Sequence, residues 1–294
     1  MVNINNNGCI IGNVSAIAFF PNKDGSRSVI LTVAVDDNFT RRNADRAETQ
    51  FDRSVDIYDK KVYEKARDLF NEQVSEGIYI EDEDIAFYVY ELTMEGRSQS
   101  GIVATASVDD YLDGTIKKHE NTLAKKEQDR INHVDTMSAQ TGPIFLAYRD
   151  IEAINEVVIK TKQSSPIYDF VADDGIAHKA WKISDANDIK TISESFDRCD
   201  GLYIADGHHR AASAVKVALK RRDENPGYTG EEEYNYFLSV IFPESELMIM
   251  DYNRVIKDLN GLEKEEFLDK IKENFDVKEI VSMYNYLFLE TRIL

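Results

Sequence analysis

Helical and strand patterns alternate along the second half of the chain, and this alternation restricts the possible folds more than any other feature. Apolar residues at helical spacing predict a helix over Asp185–Phe196, followed by a short buried strand over Gly201–Ala205. A second helix is predicted over His208–Arg222, and a second strand over "YNYFLSVIFP". Strands that alternate with helices form mixed or parallel sheets. The sequence therefore predicts an α/β (mixed α+β) fold in which helices flank a mixed sheet.

The first part of the chain has a different pattern. The β-rich runs "CIIGNVSAIAFF" and "SRSVILTVAVDDNF" are joined by "PNKDGS", which predicts an N-terminal β-hairpin. We expect residues 1–43 to form this β appendage and residues 44–294 to form the main domain. Within the main domain, a helix is predicted to end at Gly77, and "IAFYVYELTMEGRSQSGIVATASV" predicts a strand, a turn and a strand. The later segments "TGPIFLAY", "DIEAINEVVIKTK" and "PIYDFVADDGIAHKAWKIS" predict a strand, a helix and a hairpin.

The charge of the chain limits the classes of partner that it can bind. The formal net charge of −19 disfavours non-specific attraction to DNA or to an anionic membrane, because the long-range field is repulsive. No apolar run approaches the roughly 18 residues of a transmembrane helix, and the N-terminus lacks the basic region and cleavage site of a signal peptide. Cys9 and Cys199 form no CxxC pair, so neither a disulfide framework nor a zinc ribbon is predicted. We expect a cytoplasmic protein.

The stretch "YIADGHHRAA" leads from a predicted strand into a predicted helix through one sharp bend. Gly207 allows the tight turn, and the free amides of the first helical turn form a favourable site for anions. Arg210 offers a bidentate fork for phosphate oxygens, and His208 and His209 offer further donors. Cationic side chains at this end of a helix oppose the helix dipole, so an anion is expected to compensate them. The bend predicts a phosphate or carboxylate site.

The segment "IKKHENTLAKKEQDRINHV" (116–134) is predicted to form a single polar helix. At about 100° per residue, four of its basic residues fall on one face. These are His119, Lys126, Arg130 and His133. Glu120 and Glu127 form an acidic line on the adjoining face, and His119 with Glu120 suits general acid–base catalysis near a substrate hydroxyl.

Both segments also have purely structural interpretations. Asp206 is a common type of N-cap residue, in which case the histidines after it are simply solvated. The polar helix can be a solvated helix that carries Glu–Lys pairs. Leu123 occupies the place of the second histidine of an HExxH motif, so no metal site of that type is predicted. A zinc site formed by the five scattered histidines remains an alternative.

Three stretches resemble the DUF1015 family, an uncharacterised bacterial and archaeal family. They are "YELTMEGRSQSGIVATASVDDYL", "IKKHENTLAKKEQDRINHVDTMSAQTGPIFLAYRD" and "YIADGHHRAASA". The resemblance runs from about Ala44 to about Phe275. Members of the family normally begin with a Pro-Tyr-Asp motif, which is missing here, and "VSMYNYLFLETRIL" also departs from the family pattern. We therefore expect a DUF1015-like domain that is truncated at both ends.

Two further resemblances concern shorter segments. The Asp-Gly-x-His-Arg turn is similar to one in free-serine kinases and sulfiredoxins of the ParB/sulfiredoxin-like superfamily, where it holds nucleotide phosphates at a helix N-terminus. The segment "NGCIIGNVSAIAFFPNKDGSRSVILTVAVDDNFTRRN" resembles the first strands of the OB-fold of single-stranded-DNA-binding proteins. DUF1015 members are also often encoded beside enzymes of serine biosynthesis. Together these resemblances imply phosphoryl transfer between a nucleotide and serine, or the reverse reaction on phosphoserine.

We therefore expect a cytoplasmic, nucleotide-dependent phosphotransferase that uses ATP or ADP with Mg²⁺ and acts on serine or phosphoserine. The predicted catalytic residues are Asp206, Glu120 and His119. The predicted phosphate- and nucleotide-binding residues are Gly207, His208, His209, Arg210, Lys126 and Arg130. One alternative is a nucleic-acid-binding module with a basic groove around Arg41, Arg42 and Arg46. Another is an inactive fused fragment. No membrane partner is expected.

Overall fold

The structure is a computed structural model of the chain. It describes residues 15–19, 29–32, 51–52, 54–77, 79, 85–122, 124–172, 175–248, 258–275, 277, 280–281 and 287–288. The described residues up to 248 belong to one compact unit, and those from 258 onward belong to a second.

Thirteen strands occur in the described part of the chain. They are β1 (Ser15–Phe19), β2 (Val29–Thr32), β3 (Phe87–Met94), β4 (Arg97–Ser107), β5 (Ile116–Lys117), β6 (Ala139–Gln140), β7 (Ile144–Tyr148), β8 (Tyr168–Val171), β9 (Ala177–Ile183), β10 (Leu202–Asp206), β11 (Tyr236–Pro243), β12 (Ile280–Val281) and β13 (Leu287–Phe288). The described residues also form seven α-helices. They are α1 (Lys60–Ser75), α2 (Val108–Asp113), α3 (Ala124–Met137), α4 (Glu152–Thr161), α5 (Ala186–Asp197), α6 (His208–Glu224) and α7 (Lys264–Lys272).

Eight strands form one mixed sheet in the order β5-β10-β7-β11-β4-β3-β9-β8. The pairs β10–β5 and β11–β7 are parallel, and the other neighbours are antiparallel. Seven residues of β11 in succession are buried, which is typical of a central strand that is covered on both faces. The sheet is not closed into a barrel. The predicted fold class, a mixed α/β fold with helices beside a mixed sheet, is confirmed.

Helix α6 packs close to this sheet because the side chains that it buries are small. Ala211, Ala214 and Ala218 are at most 4% exposed and belong to the same core as Leu146 of β7. Helix α3 packs against α6, and α1 packs against α3. The alanine-rich helix is therefore enclosed between the sheet and α3, and its N-terminus lies inside the unit formed by residues 15–248.

The predicted N-terminal hairpin is present in its described part. Strands β1 and β2 pair antiparallel, with Ser15 opposite Thr32, whereas the predicted turn lies outside the described residues. Strand β1 also pairs with β6, so the hairpin continues into a three-stranded sheet with a segment of the main domain. In the second unit, α7 is followed by a short antiparallel pair of β12 and β13.

The prediction of one continuous helix over residues 116–134 is wrong. Ile116 and Lys117 form β5, residues 118–122 are irregular, and α3 begins at Ala124 and continues to Met137. The side chain of Ile116 is fully buried, and its backbone pairs with Leu202 of β10. Pairing with a distant strand therefore overrides the local helical pattern at this position.

None of the helices in the described ranges combines the length and the apolar character that crossing a bilayer requires.

Candidate functional site

The bend predicted from the sequence is a one-residue connection between a strand and a helix. Strand β10 ends at Asp206 and α6 begins at His208, so only Gly207 separates them. Gly207 has φ of +95°, which is in the left-handed region. A Cβ atom at this position would lie 3.0 Å from both Nε and Nη2 of Arg210. The backbone conformation therefore favours glycine, and any added Cβ would force the arginine side chain to shift.

The N-cap of α6 is Gly207, and the alternative in which Asp206 caps the helix is wrong. Gly207 has no side chain, so no side-chain cap bond is made to the amides of the first turn. The carboxylate of Asp206 instead accepts a hydrogen bond of 2.7 Å from Nη2 of Arg210, one helical turn away. The first turn of α6 therefore keeps the uncapped amides that an anion site needs.

The pair of Asp206 and Arg210 changes the charge argument made from the sequence. The sequence predicts that an anion compensates these cations, and Asp206 already supplies one negative charge. Burial lowers the pKa of the Arg210 guanidinium, and the carboxylate of Asp206 opposes this shift. Nε of Arg210 and Nδ1 of His209 are buried and have no hydrogen-bond partner within the described part of the chain. Nδ1 of His208 likewise has no hydrogen-bond partner there, so the turn retains three buried ring or guanidinium nitrogens that a ligand can satisfy.

His208 lies at the centre of the site, with a side chain that is only 2% exposed. Its Nε2 accepts a long, 3.5 Å hydrogen bond from the backbone N–H of His119, and its Nδ1 lies 3.5 Å from Oε2 of Glu120. The imidazole rings of His208 and His119 meet edge to face at 4.4 Å. Burial is the largest cause of a lowered pKa for His208, and His119 adds to it. His208 is therefore neutral near pH 7, with an accepting Nε2 and a protonated Nδ1 that faces Glu120.

His119 and Glu120 reach this site by a different route from the one predicted. They follow β5, which runs parallel to β10, and the pairing of Ile116 with Leu202 sets the register. Because the two strands run in the same direction, the residues after β5 lie beside the turn after β10. The structure therefore brings the predicted catalytic residues together through strand pairing, not through a shared helical face.

The basic residues of α3 differ in the contacts that they make near the Gly207 turn. Arg130 is half-exposed, donates to Asp129 at 3.1 Å, and lies near enough to Arg210 for its charge to lower the pKa of that guanidinium. Nε2 of His133 lies 3.3 Å from Oγ1 of Thr141. Lys126 belongs to α3, but its side chain lies outside the described part of the structure, as do Arg41, Arg42 and Arg46.

Glu127, predicted to be part of an acidic line, has a structural role that the sequence did not indicate. It is 6% exposed, forms an ion pair with Lys216, and accepts a 2.5 Å hydrogen bond from Oγ1 of Thr122. The hydrogen bond from Lys216 is the largest cause of its lowered pKa. Oγ of Ser213 donates to the backbone carbonyl of His209 in its own helix at 2.7 Å and lies 3.2 Å from that of Glu127. These contacts attach α3 to the first turns of α6.

A pocket of about 490 Å³ lies elsewhere in the same unit. Its lining comes from the start of β4, from α4, and from the ends of the parallel strands β7 and β11, where Tyr148 pairs with Pro243. The turn lies at the other end of β7, because Asp206 of the antiparallel β10 pairs with Phe145. Sequence reasoning missed this pocket because its residues come from separate segments that only the sheet topology brings together.

The described residues contain no group of three or more His, Cys, Asp or Glu side chains placed to hold a metal ion. Comparison with protein families matches residues 32–291 to a family described as a protein of unknown function, DUF1015. The chain belongs to the DUF1015 family. The match begins inside β2 and includes both the turn at Gly207 and the pocket, so it extends beyond the range of Ala44–Phe275 inferred from the motifs.

No curated protein and no solved structure matches this DUF1015 chain. The comparisons therefore do not support the resemblance of the first strands to an OB-fold, or that of the turn to the ParB/sulfiredoxin-like enzymes.

Proposed function

We propose that this DUF1015 protein is a nucleotide-dependent phosphotransferase that binds phosphate groups at the Gly207 turn. The observation that carries the proposal is the start of α6, where uncapped amides lie beside buried nitrogens of Arg210 and His209 that lack partners among the described residues. A buried donor without a partner costs about 1–3 kcal/mol, so a ligand with several acceptor oxygens is favoured there. Phosphate provides such oxygens and also interacts favourably with the helix dipole.

Arg210 is suited to stabilise the charge of a transferring phosphoryl group. Its guanidinium donates a 2.7 Å hydrogen bond to the carboxylate of Asp206 and is thereby held in place. A fixed guanidinium needs little reorganisation when charge develops on the phosphoryl group. The free Nε of Arg210 leaves a donor for a phosphate oxygen. The half-exposed Arg130 adds positive charge on the neighbouring helix. In phosphoryl transfer, positioning and charge stabilisation of this kind supply most of the catalysis.

We assign the general base to Glu120 in preference to Asp206. The side chain of Asp206 is 16% exposed and bonded to Arg210, whereas that of Glu120 is 49% exposed and faces the neutral His208. Glu120 removes the proton of the acceptor hydroxyl, whose oxygen then attacks the terminal phosphorus of the nucleotide as the bridging P–O bond breaks. His208 positions the carboxylate of Glu120, and His119 closes the same side of the site.

Mg²⁺ would accompany the nucleotide in this proposal. Because Mg²⁺ usually keeps several waters and takes one or two carboxylates plus substrate phosphates, it does not need a cluster of three protein ligands. Asp206 and Glu120 are the carboxylates available at the turn. The ion would neutralise charge on the nucleotide phosphates.

The acceptor that we propose is serine, or phosphoserine in the reverse direction, with ATP or ADP as the nucleotide and the cytoplasm as the compartment. The test is to incubate the full chain with Mg²⁺ and either serine plus ATP or phosphoserine plus ADP or AMP, and to follow phosphate by ³¹P NMR. We expect a phosphoserine signal to appear in the first mixture or to decline in the others. Arg210→Ala should abolish this change, and Arg198→Ala, which removes an exposed arginine at the C-cap of α5, should not.

Absence of phosphate transfer in every mixture would contradict the proposal. Oligonucleotide binding that weakens steeply with salt would support the nucleic-acid alternative instead.

A further inference from the structure

The pocket at the ends of β7 and β11 is separate from the site of the proposed function. Its volume of about 490 Å³ lies within the range of roughly 300–1,000 Å³ that is typical of small-molecule sites. It is bounded by α4 on one side and by the start of β4 on another. Phosphotransfer at the Gly207 turn, at the other end of β7, makes no use of it.

One part of the pocket lining is apolar and partly uncovered. Ile102, Val158 and Pro243 provide apolar surface. Ile159 also lines the pocket and is 63% exposed, which is high for a large apolar side chain. An apolar ligand body that covered Ile159 would remove this surface from water, with a gain of about 25 cal/mol per Å².

A second part of the lining is polar and fixed by its own hydrogen bonds. Nζ of Lys162 donates to Oγ of Ser100 at 2.9 Å and lies 2.5 Å from Oε2 of Glu91, which is 8% exposed. Oγ of Ser100 donates to the same carboxylate at 3.1 Å. The positive charge of Lys162 is therefore already neutralised by Glu91 and is not free for an anionic ligand.

The remaining charges at the pocket are mainly negative. The carboxylate of Glu246 accepts from the backbone N–H of Ser100 at 3.2 Å and forms no ion pair with a described residue. Arg97 donates to the main-chain carbonyl of Glu246, not to its carboxylate. Asp150, just behind the lining, is held by the neutral donors of Ser245 and Asn155. The carboxylates of Glu246 and Asp150 thus lack a cationic partner within the described residues.

Tyr148 brings a polar group from the sheet to the pocket. It lines the pocket, is 1% exposed, and its hydroxyl makes no hydrogen bond within the described part of the chain. Burial raises the pKa of this hydroxyl well above its usual value, and the carboxylates of Asp150 and Glu246 raise it further. The hydroxyl is therefore neutral, and it lies in a negative potential that favours a cation nearby.

We propose that this pocket binds a small organic cation, with a primary ammonium group on an apolar body about the size of an indole ring. The ammonium pairs with the carboxylate of Glu246 and donates to the hydroxyl oxygen of Tyr148. The apolar body lies on Val158 and Ile159 of α4. This ligand satisfies the unpaired groups and covers the exposed isoleucine at once.

The proposal can be tested on the full chain with three probes that share one ring and differ in head group. Tryptamine, tryptophol and indole-3-acetate carry an ammonium, a hydroxyl and a carboxylate, and isothermal titration calorimetry gives each dissociation constant. We expect tryptamine to bind at least about tenfold more tightly than indole-3-acetate, since a hydrogen bond to a charged group contributes about 1.5–3 kcal/mol. Equal or tighter binding of indole-3-acetate, or no binding of tryptamine at millimolar concentration, would overturn the proposal.

Variants then locate the ligand. Glu246→Gln should weaken tryptamine about tenfold and leave tryptophol nearly unchanged. Glu156→Gln removes a similar charge from an exposed position of α4 and should change neither affinity. Ile159→Arg places a cation on an exposed lining residue, so it tests the site even if Glu246→Gln fails to fold. If tryptamine bound Ile159→Arg and wild type equally, it would not occupy this pocket.

Discussion

Arg210 donates a 2.7 Å hydrogen bond to Asp206 across the turn that joins β10 to α6. The two residues are four positions apart, but only Arg210 belongs to the helix, so the bond ties the helix to the end of the strand. This contact holds a largely buried guanidinium at a helix N-terminus, where its charge would otherwise oppose the dipole. It also leaves Nε of Arg210 without a partner among the described residues. The turn is thus neutralised internally and still able to bind an anion.

Replacing Gly207 tests whether the geometry of the turn matters for nucleotide binding. Gly207→Ala should lower the free energy of unfolding by about 1–2 kcal/mol, because alanine is strained at a φ of +95°. Its Cβ would also lie 3.0 Å from the Arg210 guanidinium and displace it, so nucleotide affinity should fall. Urea unfolding and a nucleotide titration measure the two effects.

Gly230 provides a matched control for this variant. It has φ of +94°, but a Cβ added there would meet no atom within 4 Å. Gly230→Ala should therefore lose similar stability and keep nucleotide affinity. If both variants bound nucleotide like the wild type, the displacement of Arg210 would not matter for binding.

His208 should make stability depend on pH. Its pKa in the folded protein is lowered, chiefly by burial, so the unfolded chain binds the proton more readily. The stability that this group contributes is therefore present above its unfolded pKa of about 6.5 and is lost as the pH falls below it. The slope can reach at most about 1.4 kcal/mol per pH unit for one proton. Urea unfolding between pH 7.5 and 5.5 should show a smaller loss for His208→Gln than for the wild type, and equal losses would contradict this role.

The sequence predicts the bend at Gly207 well because the apolar spacing changes from strand to helix within a few residues there. It fails at Ile116, where a locally helical pattern is overridden by pairing with Leu202, which is distant in the sequence. The sequence predicts His119 and Glu120 on one continuous helix, whereas strand pairing puts them beside the turn. The role of Asp206 as the counter-ion of Arg210 depends on side-chain direction, which residue spacing alone does not determine.

The buried carboxylate of Glu127 should stabilise the contact between α3 and α6. Glu127→Gln keeps the shape of the side chain and removes the charge that pairs with Lys216, so the free energy of unfolding at pH 7 should fall by about 1–3 kcal/mol. Lys216→Gln leaves the carboxylate of Glu127 without its cationic partner, and the loss of stability would be small only if water reached that carboxylate. We therefore expect Lys216→Gln to be destabilising as well, since Glu127 is only 6% exposed.

The acid dependence of stability provides a second measurement of the same pair. The pKa of Glu127 is lowered in the folded protein, mainly by the hydrogen bond from Lys216. Its contribution is therefore present above the unfolded pKa and is lost as the pH falls through the folded pKa. Wild type should lose more stability than Glu127→Gln between pH 6 and pH 3, as measured by urea unfolding. A loss of the same size in both proteins would show that Glu127 carries no net charge interaction.

The assignment of the general base to Glu120 predicts different kinetic effects for the two carboxylates at the turn. Glu120→Gln should lower kcat by about 10²–10⁴-fold with little change in nucleotide affinity, because the side chain only removes the proton of the acceptor. Asp206→Asn should instead weaken nucleotide binding, because it releases the guanidinium of Arg210 from its fixed position. Glu152→Gln, at an exposed site on α4, serves as the control and should leave both quantities unchanged. If Asp206→Asn abolished turnover and Glu120→Gln did not, Asp206 would be the base. The uncapped first turn of α6 would then hold the nucleotide without help from the Asp206 carboxylate.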